Sequence, residues 1–138
     1  MNPAIQERLE TARHLLGSYD ILSEKTAQAE SAWLITILVH GRSEERYIQQ
    51  ARRDVRDDAP SGVREWLTGL PIGPAEPIIV LWSDSRSGIR ATYGGVVAAY
   101  DELWYPSSDD VWIRATSGDW LLELCHEEVF RFFKRERV

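Results

Sequence analysis

The chain has 138 residues, a formal net charge of −6 and one cysteine. That length suits a single domain over residues 1–138, because a chain of this size buries roughly two thirds of its unfolded surface without needing a staple. The lone cysteine excludes an intramolecular disulfide, and the acidic balance opposes direct nucleic-acid binding. No apolar run approaches the roughly 18 residues of a membrane span, and Met1–Ile5 carries no signal-peptide pattern, so a reducing cytoplasm is the expected compartment.

Asn2 is placed to cap a helix whose first turn holds Pro3, where a missing N–H costs nothing. Ile5, Leu9, Ala12, Leu15 and Leu16 recur at helical spacing, and Gly17 ends the run. From Ser23 to His40 good helix formers lead into an apolar run from Trp33 to Val39; the segment is assigned to helix, although the run itself suits a strand almost as well. Ser43, followed by Glu44 and Glu45, predicts a third helix reaching Asp58, with Tyr47, Ile48, Ala51 and Val55 as its narrow inner face. Val63, Trp66, Leu67 and Leu70 suggest further helical turns after Pro60. Glycines and prolines between Gly69 and Pro77 then resist regular structure.

Ile78 to Trp82 is an unbroken apolar run, as expected of a strand buried on both faces and central to the core. Ser87 is expected to cap a helix from Gly88 to Trp104, in which Gly94 and Gly95 predict close packing or a break. A turn follows from Tyr105 to Asp110. Val111 to Thr116 and Asp119 to Cys125 flank Ser117-Gly118, a hairpin signal with a two-residue loop. Trp120, Leu122 and Leu124 share one face; Trp112, Arg114 and Thr116 lie opposite Val111, Ile113 and Ala115. Val129 to Phe133 reads as strand or short helix, before a solvated tail from Lys134 to Arg137. These elements predict an α+β fold, with N-terminal helices packed on a small, mainly antiparallel sheet of three to four strands from the C-terminal half.

Cys125 and His126 suggest a thiolate and its base, yet neighbours on a strand point to opposite faces, so the pair is not expected to act together. Asp109, Asp110, His126, Glu127 and Glu128 assemble into an acid–base or metal cluster only if their two turns meet at one end of the sheet. Their spacing matches no zinc signature. His14 and His40 fit the carbonyl ends of helices. Ser83 and Asp84 read as a strand exit turn, and no phosphate-cradling loop is present. Catalytic residues, metal ligands and cofactors are therefore not expected.

What remains is an aromatic cluster beside an acidic turn: Trp104, Tyr105, Asp109, Asp110 and Trp112, residue types favoured where proteins meet. The run from Asp101 to Asp110, with Trp104, Tyr105 and Pro106 ahead of Ser107, Ser108, Asp109 and Asp110, is similar to the aromatic-proline-acidic loop with which colicin DNase immunity proteins block basic nucleases. The likeness covers ten of 138 residues. It is a likeness of loop and not of fold, since those proteins are small helical bundles and a hairpin follows here. It implies a basic protein partner. The expected function is thus protein binding by a bacterial cytoplasmic protein, as an immunity or inhibitor protein against a basic toxin. Two alternatives are a small enzyme using His126 with the neighbouring carboxylates, and an assembly subunit using the tryptophan surface.

Overall fold

The first helix, α1 (Pro3–Leu16), begins as its caps dictate: the Asn2 side chain accepts from the Ala4 N–H at 2.8 Å, and Gly17 stops it at φ 74°. The computed structural model describes residues 1–38 and 46–136. In chain order the remaining elements are β1 (Asp20–Ile21), α2 (Glu24–Leu38), β2 (Tyr47–Asp54), α3 (Pro60–Thr68), β3 (Pro77–Trp82), β4 (Gly88–Thr92), α4 (Tyr93–Leu103), β5 (Val111–Ala115), β6 (Trp120–Cys125) and β7 (Val129–Arg135).

The fold is α+β, but the sheet has seven strands and not three to four. Its order is β1-β4-β3-β5-β6-β7-β2, and every described pairing is antiparallel. Two of its strands come from the N-terminal half of the chain. Strand β3 is buried on both faces as its composition requires. Ile78, Val80 and Trp82 join the larger core under α1, α3 and α4, while Ile79 and Leu81 face α2. Two antiparallel strands flank β3, with β4 and β5 connected by α4.

Two corrections account for most of the extra strands. Residues 47–54 form no helix: they pair along β7 as the sheet's edge, with a bulge between Gln49 and Ala51. Glutamine, alanine and arginine favour helix locally, but pairing with β7 satisfies the backbone and brings Ala51 onto the core. Arg52 and Arg53 on this edge discourage a further strand from adding. The start proposed at Ser43, with His40 and Gly41, lies outside the described residues.

The helix expected from Gly88 starts instead at Tyr93, because residues 88–92 turn back along β3. Thr92 caps it. Ser87 is fully buried, donating its hydroxyl to Asp84 and accepting the Asn2 N–H at 3.1 Å. Gly94 and Gly95 pack closely, as their position demands. A Cβ on Gly95 would lie 2.1 Å from the Leu16 carbonyl oxygen, so α4 meets the end of α1 in near backbone contact.

At the C-terminus, 129–135 is strand, and the expected tail shortens accordingly. Lys134 and Arg135 belong to β7, and the Arg135 guanidinium pairs with Asp119 at 3.0 Å.

Candidate functional site

At the end of the sheet where β5 begins and β6 ends, two loops meet. Pro106 cannot continue α4, and the chain turns through residues 105–110 into β5. Cys125 closes β6, and a turn from His126 to Glu128, with Glu128 at φ 63°, leads into β7. The Ser107 N–H donates to the His126 carbonyl at 3.1 Å, and the His126 N–H donates to Asp110 Oδ1 at 2.9 Å.

The five candidate contact residues are divided by this geometry. Trp104 is 4% exposed and belongs to the main core, its ring edge-on to Phe130 at 4.9 Å while Nε1–H donates to the Asp109 carbonyl. Trp112 points to the other sheet face and lines a largely apolar groove of about 190 Å³ with Leu34, Ile35 and Leu38 of α2, and Asp110 lies at the same groove. Tyr105 is 38% exposed at the loop itself. Asp109 is turned inward, accepting the Tyr105 N–H at 2.7 Å and an Arg8 N–H at 2.5 Å. The Arg8 guanidinium also lies 3.8 Å from the Tyr105 ring centroid, so one arginine of α1 holds both the aromatic and the acid of the loop. Nothing in the local sequence identifies Arg8, because the contact spans 101 positions.

Asp110 faces the second cluster. Its Oδ1 lies 2.8 Å from His126 Nδ1, and Cys125 Sγ lies 3.9 Å from the same nitrogen. The three donor atoms all fall within 4.8 Å of one another. The expectation that Cys125 and His126 point apart is corrected here. Alternation holds only inside a strand, and β6 ends at Cys125, so His126 belongs to the turn and swings back. Of the other carboxylates, Glu128 pairs with Arg56 at 3.5 Å and Glu127 is exposed.

The electrostatics follow the contacts. Burial alone would raise the Asp110 carboxyl, but hydrogen bonds from the His126 backbone, the His126 ring and Cys125 outweigh it and hold Asp110 below the usual carboxylate range. The hydrogen bond and charge of Asp110 push His126 above its ordinary value. Asp110 and Cys125 both meet Nδ1, so the ring cannot take a thiol proton on one nitrogen while a carboxylate orients the other, as a nucleophilic relay requires. The cluster is better suited to holding an ion than to activating a nucleophile.

Comparison with protein-family models, curated proteins and solved structures finds no match to this chain. Among the described residues no helix is long and apolar enough to cross a membrane.

Proposed function

We propose that the protein acts by binding another protein, with the Tyr105–Ser108 loop as its contact and Arg8 and Asp109 as the brace beneath. The observation that supports this most is an exposed aromatic already held in place. Tyr105 is bonded through its N–H and stacked under Arg8, and Ser107 is kept at φ 70°, a conformation that costs a non-glycine residue energy. A loop ordered beforehand spares the roughly 0.5–1.5 kcal/mol per side chain that immobilisation at an interface costs. Tyrosine in such a position presents a large area with few rotatable bonds.

The partner this reading favours is basic, and an immunity or inhibitor role against a basic toxin in the cytoplasm is its specific form. The acidic net charge supports it, with Glu102 and Glu127 flanking the loop. Asp109 and Asp110 are each engaged internally, so they act as scaffold more than as steering charges. Affinity capture on wild-type and Tyr105→Ala baits, followed by mass spectrometry, tests the reading. The expected result is a protein retained by wild type and lost from the variant, whose thermal unfolding is unchanged. With that protein in hand, the affinity should fall by about 30-fold or more, as for a central interface aromatic. Equal capture by both baits would overturn the proposal.

A further inference from the structure

We propose that Asp110, Cys125 and His126 form a binding site for a divalent transition metal of the zinc class, with a fourth position left to water or another ligand. The donor set is one carboxylate oxygen, one thiolate and one imidazole nitrogen, a combination that suits zinc or cobalt and not magnesium or calcium. Cys125 ends β6, His126 follows it in the turn, and Asp110 comes from the loop before β5, which is hydrogen-bonded to that turn, so the fold brings the carboxylate to the adjacent thiol and imidazole.

The distances fit. Zinc bond lengths in a tetrahedron set sulfur and nitrogen roughly 3.5 Å apart and nitrogen and oxygen roughly 3.4 Å apart. The structure has 3.9 Å and 2.8 Å, so about half an ångström of adjustment suits each of these two pairs, and the sulfur and carboxylate oxygen, within 4.8 Å of each other, close toward roughly 3.6 Å as the ion binds. The short pair is the hydrogen bond that the metal would replace, with loss of the Nδ1 proton. His126 and Asp110 are the accessible members, and Cys125 is buried at 8% exposure, so an ion enters from their side and is then held by sulfur. Glu123 and Glu127 add negative charge nearby, partly offset by Arg131, which pairs with Glu123 at 2.7 Å and also reaches the Cys125 sulfur. This inference does not depend on protein binding.

Cobalt titration of the reduced, metal-free full chain tests it directly. Because the chain has one cysteine, any sulfur-to-cobalt charge-transfer band reports on Cys125 alone. One equivalent of Co²⁺ should give that band together with the visible bands of tetrahedral cobalt, and Zn²⁺ should displace both. Cys125→Ser should abolish the charge transfer. His126→Ala and Asp110→Asn, at partly exposed positions and with folding checked by circular dichroism, should each weaken binding by at least the roughly 10- to 100-fold typical of losing even an outer partner of a ligand. His14→Ala serves as the neutral control. Absence of the band at one equivalent, or a band that survives His126→Ala unchanged, would overturn the site.

Discussion

Gly95→Ala isolates the contact on which the larger core layer depends. In an unhindered helix the substitution stabilises by roughly 0.8–1 kcal/mol. Here the added Cβ would sit 2.1 Å from the Leu16 carbonyl oxygen and 3.0 Å from its carbon, whereas ordinary contact needs more than 3 Å. Backbone must therefore move by roughly 1 Å, and the moving piece is the end of α1, anchored by buried Leu16 and by the Gly17 N–H bonded to Arg13. Overpacking costs about 1–3 kcal/mol even where side chains can yield, and the obstacle here is main chain. The expected net loss is about 2 kcal/mol, measured by urea unfolding with an unchanged slope. Two internal controls grade the argument. Gly94→Ala meets the Pro74 carbonyl at 3.0 Å and should lose less, while Gly62→Ala in α3 meets nothing within 4 Å and should gain up to about 1 kcal/mol. A Gly95→Ala protein with a midpoint at or above wild type would refute the reasoning.

Arg114→Lys should loosen α2 selectively. The guanidinium grips Glu30 through two 2.8 Å hydrogen bonds and lies 5.0 Å from the Trp33 ring centroid, a planar fork that lysine cannot reproduce. The helix otherwise buries only Ala27, Ser31 and Leu34 among its described side chains, so losing the fork should cost about 1.5–3 kcal/mol and raise hydrogen exchange in α2 before the rest; uniform exchange would contradict this. The Asp110–His126 pair predicts a pH dependence in the metal-free protein. His126 is raised, so its stabilisation is complete below the ordinary histidine value near pH 6.5 and is lost as pH rises through the raised value; Asp110 is lowered, so its share is complete above about pH 4 and is lost as pH falls through the lowered value. Wild type should therefore exceed His126→Gln in thermal stability at about pH 5 and lose that margin by about pH 9, and an equal margin at both would refute the pairing.

Elements with strong local signals were legible in the sequence. Asn2, Pro3 and Gly17 bound α1 by capping chemistry, which depends only on neighbours. The unbroken run from Ile78 could be placed at the core because no exposed strand tolerates it. Gly94 and Gly95 announced a close approach, though not that Leu16 would be the partner. The helix read from Ser23 holds from Glu24 to Leu38. Residues 47–54 and 88–92 were misread because their strand character is conferred by β7 and β3, and no local term contains that pairing. Likewise the loop's turn could be read from Pro106 and its serines, while its brace, Arg8, could not.

The Asp110–Cys125–His126 cluster stands between these cases, and the hairpin explains why. The two-residue loop expected at Ser117-Gly118 would set Thr116 opposite Asp119; the strands in fact stop at Ala115 and Trp120, with the Gly118 N–H closing the turn on the Ala115 carbonyl, but the register is the same. Extending that register places Arg114 opposite Leu121 and Val111 opposite Leu124, both of which the sheet contains. One residue further it sets Asp110 opposite Cys125. The pairing of the carboxylate with the thiol was therefore implicit in the loop, provided the register ran to the strand ends. Two-residue alternation ties this pairing to the core: a one-residue slip that separated Asp110 from Cys125 would also turn Ile113 and Leu122 out of it. Burial of those two side chains thus supplies the free energy that holds the donors across from each other. What the register does not determine is where β6 stops. That point decides whether His126 continues the alternation or folds back to Asp110, and it is set by the turn whose last residue, Glu128, adopts φ 63° and donates its N–H to the Cys125 carbonyl.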